Sequence, residues 1–152
     1  MPGSSYLMDT NILLRLVQPD SPEYGTIPQC TDRLWERGAD IFYTSEDSAE
    51  FWNVCTRPAD RNGFGFSFAE TDERATLIEA KFSFAVDSEA THQEWRKIVV
   101  AACVSGIRVH DARIVAAMRM HGIANLLTLN AKDFRRFSST ILSPDDVLAS
   151  FS

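Results

Sequence analysis

Short apolar runs alternate with longer stretches of helical period along this chain, and that alternation limits the fold more than any other feature. Ser5-Tyr6-Leu7-Met8 is an apolar run ending at Asp9-Thr10-Asn11, the pattern of a buried strand entering a polar turn. Ile41 to Thr44 has the β-branched and aromatic character of a strand. Asn125 to Leu129 reads as a buried strand ending at Asn130, Thr140 to Leu142 as a last strand, and Phe82 to Val86 as a further short one. Helices are expected over 12–17, 25–37, 45–56, 69–81, 88–104, 111–121 and 144–150. Pro19 and Pro22 interrupt the first, and Gly38 and Gly122 close the second and sixth. Glu46 and Asp47 fall in the first turn of the third, where the helix dipole favours anions. Pro58, Asn62, Gly63 and Gly65 make the segment from Arg57 to Ser67 a loop. Strands separated by helices imply an α/β fold, a mostly parallel sheet with helices on both faces. Ligands of such sheets bind at the carboxyl ends of the strands, and Asp9 and Asn130 both stand at such ends.

Bulk properties narrow the class. The chain has 152 residues, enough for one domain over 1–152 with a real core. It is 45% hydrophobic and 24% charged, ordinary for a globular protein. No stretch approaches the roughly 18 apolar residues of a membrane span, and the first residues lack the basic-then-apolar pattern of a secretory signal. Cys30, Cys55 and Cys103 are widely spaced with no Cys-x-x-Cys pair, which argues against zinc and fits a reducing cytoplasm. Cys103 shares an apolar helical face with Trp95, Ile98, Val99 and Ala102 and is expected in the core. The net charge of −6 argues against a protein that coats nucleic acid by electrostatics. It is compatible with an enzyme that acts on a single phosphodiester.

Acidic and amide side chains stand where this architecture would gather them. Asp9 follows an apolar strand, and its plain structural role is a helix N-cap. Glu50 lies among Phe51, Trp52, Val54 and Cys55, so a carboxylate there is expected to be buried and in need of a partner. Asp111 opens a helix whose inward stripe continues through Ile114, Val115 and Met118. Asn130 and Asp133 close the segment after the fourth main strand, where Asp133 could serve only as a turn cap. Carboxylates converging on one pocket repel one another unless cations neutralise them. Mg²⁺ or Mn²⁺ suits an all-oxygen donor set. Such an ion activates water and stabilises phosphoryl charge, as phosphodiester hydrolysis requires.

These blocks resemble those of PIN domains, in particular VapC-like toxins of prokaryotic toxin–antitoxin systems. Asp9-Thr10-Asn11-Ile12-Leu13 after an apolar strand resembles the family's opening. Ala49-Glu50-Phe51-Trp52-Asn53-Val54 with Thr56-Arg57-Pro58 is similar to its second block, and Val104-Ser105-Gly106 with Val109-His110-Asp111-Ala112-Arg113 to its third. Leu127-Thr128-Leu129-Asn130 with Asp133-Phe134 is similar to its fourth. The four blocks occur in order from about Tyr6 to Pro144. The resemblance implies a three-layer α/β/α sandwich and a Mg²⁺- or Mn²⁺-dependent endoribonuclease. It places Asp9, Glu50 and Asp111 at metal positions. Asn130 stands where many members have Asp, so the fourth position falls to Asn130 or to Asp133. Thr10 and Asn11 match polar positions beside the first acid, suited to a metal-bound water. A small antitoxin and a homodimer are implied as well.

On this reading Arg57 and Arg113 are the best candidates for RNA phosphate contacts, each being close in sequence to an acidic block. Arg61, Arg108, Lys132, Arg135 and Arg136 are further candidates, with solvated surface charge the plainer role for most of them. His110, His92 and His121 are expected in structural roles, and Phe64, Phe66 and Phe68 to anchor their loop. A haloacid-dehalogenase phosphatase would need a second Asp where Asn11 stands. A receiver domain would need an Asp where Thr44-Ser45 stand. A non-catalytic PIN-like module that binds RNA or protein is the alternative from a different class.

Overall fold

The computed structural model describes residues 4–18, 20–21, 24–137 and 139–151. Five strands form one parallel sheet: β1 (Ser5–Met8), β2 (Asp40–Thr44), β3 (Ser83–Ala85), β4 (Asn125–Leu127) and β5 (Thr140–Leu142). Their spatial order is β3-β2-β1-β4-β5, and every pairing is parallel. Seven helices are described around it: α1 (Thr10–Leu16), α2 (Thr26–Glu36), α3 (Ser45–Thr56), α4 (Phe68–Lys81), α5 (Glu89–Ala101), α6 (Arg108–His121) and α7 (Pro144–Ala149).

The pleat explains the layers. Successive strand residues point to opposite faces. Met8, Ile41, Tyr43 and Leu127 enter a core shared with α1, α2, α3, α4 and α7. Leu7, Leu126 and the half-buried Phe42 enter a second core made with α5 and α6. Leu7, Met8, Leu126 and Leu127 are all fully buried. Each such side chain contributes roughly 1.5–3 kcal/mol, enough to hold strands only three to five residues long. The expected α/β/α sandwich is the observed one.

Local chemistry sets the boundaries, and some differ from expectation. Helix α6 starts at Arg108, so Asp111 lies inside its first turn and caps nothing. Helix α5 stops at Ala101; Cys103 then adopts a positive φ of 51° and is exposed, contrary to the expected core position. Strand β4 ends at Leu127, short of the expected Leu129, and the Thr128 side chain beyond it bonds Asp9. Phe64 and Phe66 pack on the first core as expected, whereas Phe68 is 74% exposed against the Trp52 ring. Pro19 and Pro22 lie outside the described residues. No helix among the described residues is long and apolar enough to cross a membrane.

The chain runs from β1 outward through β2 to β3, then returns to the other side of β1 as β4 and β5. The strand order therefore reverses between β1 and β4. At such a switch point the loops after two neighbouring strands diverge and leave a crevice at their carboxyl ends.

Candidate functional site

Asp9 stands at the mouth of that crevice. Its backbone N–H donates to Leu127 O of the neighbouring strand at 3.0 Å, which fixes it beside β4. Its carboxylate caps α1 by accepting from Thr10 N at 2.8 Å. The other oxygen accepts from Thr128 Oγ1 at 2.8 Å and Asn11 Nδ2 at 3.2 Å. The N-cap role is thus real, and it orients the carboxylate toward β4. Burial raises the Asp9 pKa; the bonds from Thr128 and Thr10 oppose the rise, and the charges of Asp111 and Asp133 add to it.

A fourth carboxylate lies deeper. Asp47 is 1% exposed in the first turn of α3. It forms a capping box with Thr44: Thr44 N donates to Asp47 Oδ2 and Asp47 N to Thr44 Oγ1, both at 3.0 Å. Its Oδ1 bonds Thr10 Oγ1 at 2.9 Å, tying α3 to the residue beside Asp9. Burial pushes the Asp47 carboxyl up to about 7, with the Asp9 charge adding to the rise and the capping bonds opposing it.

Asp111 and Asp133 share a cation. Arg108 Nη1 lies 3.1 Å from Asp111 Oδ2 and 3.0 Å from Asp133 Oδ2. Arg108 and Asp111 come from the first turn of α6, and Asp133 from the 3₁₀ turn Ala131–Phe134. Burial raises the Asp111 pKa against the lowering effect of Arg108. The Arg108 pKa is raised in turn, chiefly by its hydrogen bond to Asp111.

The other expected site residues are placed differently. Glu50 is exposed, not buried: it lies on the solvent-facing side of α3 with Asn53 Nδ2 3.4 Å from its Oε2, while Phe51 and Val54 turn inward. Asn130 is exposed three residues beyond β4, its backbone N–H donating to Thr128 Oγ1 at 3.0 Å. Thr10 and Asn11 are engaged in positioning: Thr10 holds Asp47, and Asn11 clips Asp9 to Leu129 N at 3.3 Å. Arg57 Nη2 donates to Asn62 O at 3.0 Å inside its own loop. Arg113 is paired with acids: Nη2 bonds Asp87 Oδ2 at 2.8 Å, and Nε lies 2.8 Å from Glu46 Oε2 without hydrogen-bond alignment. His110 Nδ1 reaches the other Glu46 oxygen at 2.7 Å, and His121 Nε2 reaches Val86 O at 2.7 Å. Lys132, Arg135 and Arg136 are exposed around Asp133.

Three residues that pair with Asp9, Thr10 or Asp111 were not singled out by the sequence as positioning groups. Asp47 read as a helix-dipole residue, Thr128 as the interior of a strand and Arg108 as surface charge. The Arg108-to-Asp111 spacing of three within a helix was the one available signal, and it required the helix to start at Arg108. Among the described residues, no three His, Cys, Asp or Glu side chains are gathered to grip one ion as they stand.

No family model and no curated protein matches the sequence. The likeness lies in the fold. The structure of VapBC-1 from nontypeable Haemophilus influenzae matches 93% of this chain and 98% of its own, at 16% identity and a TM-score of 0.68. VapBC2 from Rickettsia felis, bound to a fragment of promoter DNA, matches over 91% and 98% at 15% identity and a TM-score of 0.67. The chain has the PIN fold of VapC toxins. FitAcB from Neisseria gonorrhoeae also shares this fold over 91% of the chain and 97% of its own, at 16% identity and a TM-score of 0.65. VapC20 of Mycobacterium tuberculosis, a toxin that cleaves the sarcin–ricin loop, shares it over 80% and 86% at 18% identity and a TM-score of 0.56.

Proposed function

We propose that this protein is a divalent-metal-dependent endoribonuclease and the toxin of a toxin–antitoxin pair. One observation carries the reading: Asp9 is held at the switch point of a VapC-like fold by Leu127 O and Thr128, while Asp111 and Asp133, from two other elements, close on one shared cationic nitrogen. Like charges held this way call for a cation. The donors are all oxygen, which fits Mg²⁺ or Mn²⁺ and not a metal that prefers thiolate or imidazole.

Asp9, Asp111 and Asp133 would hold the ion, with Glu50 and Asn130 as candidates to complete the shell. When bound, such an ion activates water and offsets charge on the attacked phosphate. The chain's own groups do the rest. Thr128, Asn11 and the Thr10 amide orient the Asp9 carboxylate. Asp47 fixes Thr10 from below. Lys132, Arg135 and Arg136 supply exposed positive charge beside Asp133 for the RNA backbone, offsetting locally a net charge of −6. Arg113 and Arg57 serve structure on this reading, since their guanidinium groups are engaged within the chain. An antitoxin partner is proposed from the VapBC and FitAcB neighbours, and a homodimer from the family resemblance alone.

Asp9→Asn keeps the α1 cap and removes the charge. Mn²⁺-dependent cleavage of a mixed RNA pool should fall by at least about 100-fold, with the far-ultraviolet circular dichroism unchanged. Undiminished cleavage would refute the assignment. A non-catalytic module is the second reading, favoured by the lack, among the described residues, of any three acids gathered for an ion as they stand. Absence of cleavage by the unaltered protein with Mg²⁺ or Mn²⁺ would select it.

A further inference from the structure

We propose that Arg108 is a built-in counter-cation that occupies the metal position in the resting protein and must leave when a divalent ion binds. This inference rests on the metal-site reading above. A single nitrogen, Nη1, lies 3.1 Å from Asp111 Oδ2 and 3.0 Å from Asp133 Oδ2. It therefore stands between two carboxylates of different elements, on the oxygens an ion would use. Mg²⁺ requires oxygens at roughly 2.0–2.1 Å. A guanidinium nitrogen about 3 Å from both oxygens cannot share that space with a divalent cation, by size and by charge.

The same contact accounts for the absence, among the described residues, of three acids gathered for an ion. With Asp111 and Asp133 turned onto Arg108, Asp9 is bonded instead to Thr128, Asn11 and Thr10. Arg108 is well placed to move. It begins α6, its side chain is 40% exposed, and the flexible stem can carry the guanidinium outward without disturbing the helix. Asp111 and Asp133 would then be released toward Asp9. Arg108 acts here as a positioning residue that sets how readily the site loads, and it takes no part in bond cleavage.

The test compares the EDTA-stripped full chain with Arg108→Gln and Arg108→Lys by calorimetric titration with Mn²⁺. Two partly exposed ion pairs are lost on loading, so Arg108→Gln should bind Mn²⁺ roughly threefold to tenfold more tightly. Arg108→Lys keeps the charge without the planar head and should fall between. The thermal midpoint gained on adding Mn²⁺ should be larger for Arg108→Gln than for the unaltered chain. Equal or weaker Mn²⁺ binding by a folded Arg108→Gln overturns the inference. Asp9→Asn, titrated in parallel, separates the two failures. If Asp9→Asn loses Mn²⁺ binding and Arg108→Gln changes nothing, only the role of Arg108 is wrong. If Mn²⁺ binds none of the proteins, the metal reading falls and this inference with it.

Discussion

Replacing Asp47 with Asn tests the buried electrostatics beneath the site without touching the residues proposed to meet metal or RNA. Asp47 is 1% exposed, and its carboxyl is pushed up to about 7 from an ordinary 3.8. Between those values the folded protein holds a proton that the unfolded chain has released. Stability must then fall as pH rises from about 4 to about 7, by up to roughly 1.4 kcal/mol per pH unit from this group. Below that window the contribution is complete; above it the folded protein carries a buried anion beside Asp9. Asparagine imitates the neutral acid: its amide oxygen accepts from Thr44 N, and its amide nitrogen donates to Thr10 Oγ1. Asp47→Asn should therefore match the parent at pH 4 and exceed it at pH 8 by a few kcal/mol, on the order of the summed slope. The assay is urea denaturation in EDTA at pH 4, 5, 6, 7 and 8. Asp9 and Asp111 also have raised pKa values, so a residual fall with pH remains in both proteins. The deciding quantity is the difference between them. A difference that does not grow with pH refutes the buried-carboxyl argument.

Two further outcomes follow from the geometry. Thr128→Val removes a fully buried hydroxyl that donates to Asp9 and accepts from Asn130 N, and should cost about 1–3 kcal/mol by urea denaturation; an unchanged midpoint would mean those bonds contribute nothing. Gly63→Ala would put a Cβ 2.0 Å from Arg57 O, which forces the 57–66 loop open against the Phe64 N to Val54 O and Gly65 N to Arg57 O bonds. A loss of about 1–3 kcal/mol is expected, read as a lower thermal midpoint, and full stability would show that the loop is not held this way.

Local pattern was enough for the architecture. The apolar runs at Tyr6–Met8 and Leu126–Leu127 have no polar positions to give to solvent, so they must be buried on both faces, and the helical stretches between them can only cover those faces. The helix expected over about 45–56 and the strand expected over 140–142 match α3 and β5; in the structure a Thr44–Asp47 capping box starts α3, and Pro144 leads α7 just beyond β5. Asp9 stands out in the sequence because it follows an apolar strand directly, whereas Asp111, expected to open its helix, lies inside the first turn of α6. Glu50 was misread as buried because apolar residues adjacent in sequence need not share its helical face: Phe51 and Val54 turn inward while it points to solvent.

Tertiary structure decided which polar groups meet. The hydroxyl that orients Asp9 comes from 119 residues away, and the carboxylate that fixes Thr10 from 37. A hydrogen bond of that reach leaves no periodicity in the chain, since it depends on which strands become neighbours. Arg108 shows the same limit: its spacing from Asp111 was visible, but Asp133 reaches it only after the 3₁₀ turn beyond β4 folds back toward α6. Burial of apolar side chains is a property each segment carries with it, whereas convergence of charges is a property only of the finished packing.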